Sequence, residues 1–184
     1  KAQGIGFTID AEESERLELS LDVIAGAYSD PSLDGWEGYG LAVQAYQKRA
    51  PFVLDYLIDL ARRTGRRMPV RLVKGAYWDS EVKKAQVESL PGYPVYTRKP
   101  NTDVSYLACA RKMLASTDAL YPMFATHNAQ TISAIHHYAA GKPFEADTLA
   151  QDWIRRHPSD AAMLAYLADR DLAARRYGPA EERY

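Results

Sequence analysis

Four times within the first 141 residues, a short apolar run of strand length is followed by a longer stretch with apolar residues at helical spacing. That alternation constrains the fold more than any other feature, because strands that alternate with helices are joined by right-handed crossovers and lie parallel in one sheet. The first unit pairs a strand over residues 5–9 with a helix over 11–28, where Leu17, Leu19, Leu21 and Ile24 recur behind an acidic first turn. After the turn-rich residues 29–38, a second strand is expected over 39–44. Its helix over 50–63 is opened by Pro51 and carries Phe52, Leu54, Leu57, Ile58 and Leu60. The third strand, 68–73, is entered from the basic turn 62–67 and followed by a helix over 79–90. A loop over 91–100 leads to a helix expected to be capped by Asn101-Thr102-Asp103 and to end at Leu114. A strand over 121–126 and a helix over 128–139 complete the fourth unit.

An open doubly wound sheet and a closed (β/α) barrel both satisfy this order. Polar residues favour the barrel: Asp10, Gln44, Lys74 and Thr126-His127-Asn128 stand at or just past the C-terminal ends of separate strands. A barrel gathers all strand ends into one site, whereas an open sheet concentrates its ligand at one switch point. No Gly-x-Gly-x-x-Gly and no Walker-type loop follows any strand. The expected fold class is therefore α/β, a partial TIM-like (β/α)8 barrel of about four βα units, since a complete one needs ~250 residues.

The densest chemistry lies at the third strand end, Arg71-Leu72-Val73-Lys74-Gly75-Ala76-Tyr77-Trp78. Two cations, a glycine and two aromatic rings meet there, which suits an anionic, planar ligand better than plain packing. Composition removes other classes. Lys+Arg 23 against Asp+Glu 24 leaves a net charge of -1, so no basic field points to nucleic acid. No apolar run reaches the ~20 residues of a membrane span. The single cysteine, Cys109, excludes an internal disulfide and a multi-cysteine zinc site and fits a reducing cytoplasm. Lys1 follows no initiating Met and opens no signal-like stretch, so the sequence is expected to start inside a longer protein.

Four motifs in order, Gln44-Ala45-Tyr46-Gln47-Lys48-Arg49, the Arg71 to Trp78 run, Tyr93-Pro94-Val95-Tyr96-Thr97-Arg98-Lys99 and Phe124-Ala125-Thr126-His127-Asn128, resemble the proline dehydrogenase domain of bacterial bifunctional proline utilization proteins. The resemblance spans residues 1 to about 140. It implies a distorted (β/α)8 barrel holding FAD, oxidation of L-proline to Δ1-pyrroline-5-carboxylate by hydride transfer to the flavin, and delivery of electrons to a quinone. Lys74 would hold the substrate carboxylate, with Asp10 paired to this lysine to orient and neutralise it, Tyr77 bordering the pocket and Arg71 near the reactive flavin nitrogen. Gln44, Val73, Gly75, Ala76, Trp78, Thr97, Lys99, Thr126, His127 and Asn128 would contact FAD. The resemblance further implies an aldehyde dehydrogenase domain in the same longer chain, no nucleic-acid contact from this segment, and a cytoplasmic location with peripheral association at the bacterial inner membrane.

Beyond Gly141 strand signals stop, so the domains expected are a partial barrel over 1–141 and a helical segment over 142–184. Residues 146–184, about 39 in all, resemble a tetratricopeptide repeat through the small-large spacing of Leu164, Leu167-Ala168, Tyr177, Ala180 and Tyr184. Divergent late barrel helices are the competing reading. Leu164-Ala165-Tyr166-Leu167-Ala168-Asp169-Arg170 echoes a family helix whose Tyr and two adjacent Arg bind the substrate carboxylate, which makes Tyr166 and Arg170 candidates, with Asp169 in place of the first Arg. The family's Cys-Leu-His-Gly segment is absent. An inactive barrel fragment carried by a helical-repeat interaction module, and a flavin-free barrel enzyme for another anionic substrate, remain as alternatives. Adjacent His136 and His137 face different sides of a helix and suit surface or capping roles better than metal binding; Cys109 reads as a small buried hydrophobe, and the 62–67 cluster as a solvated turn.

Overall fold

The computed structural model describes residues 1–141, together with Arg155 and Pro158. Tyr166, Arg170 and, apart from Arg155 and Pro158, the repeat-like stretch lie outside the described residues. Two compact units are present, Lys1–His127 and a second that opens at Asn128.

The first unit holds strands β1 (Phe7–Ile9), β2 (Tyr39–Gln44), β3 (Met68–Val73) and β4 (Leu120–Phe124), all parallel and in the spatial order β1-β2-β3-β4. Its helices are α1 (Leu17–Tyr28), α2 (Ala50–Thr64), α3 (Trp78–Val87) and α4 (Lys99–Leu114). A sheet whose spatial order repeats its chain order has no reversal point. It is wound in one sense, as a barrel segment is, and the doubly wound alternative falls.

The two faces of β3 confirm that sense. Met68, Val70 and Leu72 are fully buried, whereas the alternate Pro69, Arg71 and Val73 are half-buried. Helices α2 and α4 pack together on the buried side, α2 against β2 and α4 against β3 and β4. They contribute Leu54, Leu57, Ala61, Tyr106, Cys109 and Met113 to that core, where each large apolar side chain contributes about 1.5–3 kcal/mol. On the opposite face β2 presents Gly40 and Ala42, both buried. A Cβ at Gly40 would stand 2.1 Å from the Pro69 carbonyl oxygen, so only glycine allows the two strands to lie as they do.

Several boundaries differ from expectation for local reasons. A 3₁₀ turn, Ser14–Arg16, precedes α1, so the helix starts later than residue 11. α4 begins at Lys99 with Pro100 in its first turn, where a fixed φ and a missing N–H suit a helix start; Asn101-Thr102-Asp103 therefore lie inside the helix and do not cap it. The basic turn divides in two. Arg62 pairs with Asp118 and Arg63 with Asp59, each at 2.9 Å on the surface. Arg66, in contrast, is buried with its guanidinium 4.5 Å from the centre of the Tyr28 ring, while the Tyr28 phenol donates to the Arg66 carbonyl at 2.9 Å. The solvated-turn expectation fails at Arg66 because a ring 38 positions away covers it.

The second unit contains α5 (Ala129–Ala139). Asn128 caps it, its side-chain oxygen accepting from the Thr131 N–H at 2.9 Å and hydroxyl at 3.0 Å. His136 is exposed and His137 Nδ1 lies 3.0 Å from the Ser133 carbonyl. Among the described residues, no cluster of three or more His, Cys, Asp or Glu could hold a metal ion, and no helix is long and apolar enough to cross a membrane.

Candidate active site

Two-residue alternation along β3 distributes the cations. Arg71 lies on the open face, level with Ala42 of β2, and Asp10 follows Ile9, whose partner is Leu41. Asp10 and Arg71 thus reach the same level of the sheet with the methyl group of Ala42 between their strands. A bond forms across it, the Arg71 Nη2 donating to Asp10 Oδ1. Both side chains are solvent-accessible, so the pair contributes little to stability. What it does is hold a guanidinium and a carboxylate at a defined place on the open face.

Lys74 stands an odd number of positions from Arg71 and leaves the strand toward α4. There it pairs with Asp103, whose other oxygen accepts from Lys99 Nζ at 3.0 Å. The expected Lys74–Asp10 pair does not form. β2 separates the parent strands, and the pleat sends Lys74 to the opposite side from Arg71. Burial works to raise the Asp103 carboxyl, but hydrogen bonds from Lys74 and Lys99 outweigh it and hold the group below its ordinary range. Two ammonium groups sharing one carboxylate leave a net positive charge beside the first turn of α4, whose unpaired N–H groups add to it.

Between these groups runs the Gly75–Trp78 turn. Gly75 has φ +151, and a Cβ there would meet the Tyr46 ring at 2.4 Å, so its need for glycine comes from protein packing as well as from any ligand. The Ala76 N–H donates to Gln44 Oε1 at 3.0 Å, and the Gln44 Nε2 donates to the Glu12 carbonyl at 2.8 Å. Gln44 is buried and ties the loop after β1 to the turn after β3. Tyr77 is half-buried at the start of α3, and the Trp78 indole N–H donates to the Tyr96 carbonyl at 2.9 Å, leaving part of its ring exposed. Burial, then the nearby Glu81 carboxylate, push the Tyr46 phenol up to about 12.

The loop that carries Thr97 docks against the chain after β2. Lys48 N–H donates to the Pro94 carbonyl at 3.0 Å, Tyr96 N–H to the Tyr46 carbonyl at 2.8 Å, and Val95 is fully buried. Thr97 itself is exposed next to Lys99. Val73 closes β3, its carbonyl accepting from the Ala45 N–H at 2.8 Å. Thr126 and His127 follow β4, which is continued by an Ala125 N–H to Leu72 carbonyl bond at 3.0 Å. Asp10, Gln44, Arg71, Val73, Lys74, Gly75, Ala76, Tyr77, Thr126 and His127 thus belong to strand ends or to the loops that follow them in the first unit, Trp78 and Lys99 open α3 and α4, and Thr97 lies in the loop between those helices. Asn128 belongs to the second unit.

Three participants went unnoticed in the sequence. Asp103, which the sequence suggests as a cap, is the shared partner of two lysines; its i,i+4 spacing from Lys99 is the available signal. Ser14 and Glu81, which bond to each other, carried none.

The family model described as Proline dehydrogenase matches residues 1–152. Among curated proteins, the bifunctional protein PutA of Salmonella typhimurium is 63% identical over 135 residues, which is 73% of this chain and 10% of that protein. PutA of Rhizobium meliloti is 59% identical over 145 residues, 78% of this chain and 12% of that protein. A solved structure of proline utilization A with proline bound in remote sites superposes with a TM-score of 0.75 at 58% identity, covering 77% of this chain and 15% of that one. The proline utilization A of Bdellovibrio bacteriovorus inactivated by N-propargylglycine gives 0.74 at 33% identity over 79% of this chain and 15% of that one. The chain spans about a tenth of the length of these curated relatives.

Proposed function

The chain belongs to the proline dehydrogenase family, and from that membership we propose that its strand ends form part of the site at which L-proline is oxidised to Δ1-pyrroline-5-carboxylate with FAD as cofactor. The observation that carries the proposal is the division of cations about β3: Arg71 with Asp10 on the open face, Lys74 with Lys99 on Asp103 toward α4. The donor set suits FAD. Two ammonium groups and a helix start match a pyrophosphate, and a part-exposed, hydrogen-bonded indole offers a flat surface to a ring system. When bound, FAD supplies the hydride acceptor.

The chain's own residues then have the following work. Lys74 and Lys99 would hold the diphosphate; Thr97, Thr126 and His127 would contribute further cofactor contacts. Gly75, Ala76 and Val73 offer backbone, and Gln44 holds that backbone in place. Arg71 stabilises negative charge at the open face and Asp10 fixes the guanidinium there. Tyr77 borders the substrate. Electrons pass to a quinone at a membrane surface, with an aldehyde dehydrogenase domain in the same longer, cytoplasmic protein.

Assigning Lys74 to the cofactor departs from the expected substrate-carboxylate role, and the shared Asp103 supports the change. Lys74→Ala in the complete gene product separates the two. Losing a charged hydrogen bond should weaken FAD binding about tenfold or more while the KM for L-proline in the loaded protein stays near parent. Unchanged FAD affinity with a raised KM would return Lys74 to the substrate.

A further inference from the structure

The segment between Asp10 and α1 makes no strand ladder, and side chains from three other places meet its backbone. The Glu12 carbonyl accepts from Gln44 Nε2 at 2.8 Å, and the Ser14 carbonyl accepts from Arg49 Nη2 at 2.5 Å. Glu81, in the first turn of α3, takes the rest: Ser14 N–H donates to its Oε1 at 2.5 Å and Ser14 Oγ to its Oε2 at 2.6 Å. Both partners are buried, Glu81 at 4% exposure and Ser14 at 8%.

A buried carboxylate is a costly way to finish a surface loop, since burying the charge is unfavourable unless each oxygen is met. A capping serine or asparagine within the loop would have met the Ser14 N–H at lower cost. What Glu81 adds is a connection. α3 begins at Trp78, directly after the Gly75–Ala76 turn, and Gln44 links the same two loops a second time through Glu12 and Ala76. Two cross-links therefore hold the Asp10 loop in register with the turn and with Tyr77. Arg71, bonded to Asp10, inherits that placement.

We infer that Glu81 is a positioning residue: its buried bonds to Ser14 set the Asp10 carboxylate, and through it Arg71, at the open face of the sheet. This rests on the proline dehydrogenase reading above. The hydrogen bonds of Glu81 go to Ser14 and that of Arg71 to Asp10, so Glu81 acts through the backbone of residues 11–14.

The test compares Glu81→Gln and Ser14→Ala with parent in the FAD-loaded complete gene product, measuring flavin content, KM and kcat for L-proline, and Tm. Glu81→Gln keeps the shape and loses the charge-assisted bonds, and should raise KM about tenfold with kcat within about threefold at parental flavin content. Ser14→Ala removes the hydroxyl bond alone and should raise KM about threefold, carrying the test if Glu81→Gln does not accumulate folded. KM within about twofold of parent in the flavin-loaded fraction of both variants, whatever their Tm, overturns the positioning role and leaves a structural one. A parent protein that retains FAD and is not reduced by L-proline overturns the reading of the site itself, and the inference with it.

Discussion

Replacing Gly75 by Ala sets a methyl group 2.4 Å from the nearest carbon of the Tyr46 ring. Carbon atoms in contact keep about 3.5–4.0 Å, so the ring would have to retreat by about 1 Å. It has little freedom to do so. Tyr46 is 2% exposed, and its backbone is held on both sides, the N–H by the Lys74 carbonyl at 2.7 Å and the carbonyl by the Tyr96 N–H at 2.8 Å. Overpacking of this kind costs about 1–3 kcal/mol. The backbone at φ +151 adds about 1–3 kcal/mol for any residue with a side chain. The expected loss is about 2–6 kcal/mol in the unfolding free energy, read from urea denaturation followed by circular dichroism. The two contributions separate in a Tyr46→Ala background, where room for the methyl group exists and only the backbone cost remains, giving a coupling of about 1–3 kcal/mol. A Gly75→Ala penalty below about 0.5 kcal/mol, or one of equal size with and without Tyr46, would refute the reasoning.

Asp103→Asn should lower Tm by an amount that depends on pH. The folded carboxyl lies below its unfolded value of about 3.9, so its stabilising contribution is fully present above that value and fades as pH falls through the lowered folded one. The Tm gap between variant and parent should be constant from about pH 8 to 5 and narrow below about pH 4; a gap that grows on acidification would contradict the sign. The Cys109 thiol is buried at 1% exposure, and burial pushes its pKa up. Thiol reagents should modify it only on unfolding, and labelling of folded protein at the rate of a free thiol would show that the packing of α4 on α2 and the sheet does not cover it.

The fold was legible where periodicity was long. Four strands and their helices follow from alternation alone, because tertiary packing had no reason to override a pattern repeated four times. The same period of two along β3 already separates Arg71 from Lys74 by face, and reading it through would have paired Lys74 away from Asp10. The identity of the true partners was not legible, since Asp103 and Glu81 reach Lys74 and Ser14 across 29 and 67 positions. Arg66 shows the limit of composition: in a run of arginines it reads as solvated, yet Tyr28 supplies a ring to cover it. At Gly75 the sequence points to close approach by a ligand, whereas the constraint visible in the structure is the Tyr46 ring.

Whether these strand ends serve proline oxidation is decided by anaerobic addition of L-proline to the FAD-loaded complete gene product. The visible flavin absorbance is expected to bleach on adding proline, and Arg71→Met to slow the bleaching at parental flavin content. A protein that holds no flavin, or that holds it with an absorbance unchanged by proline, would contradict that expectation.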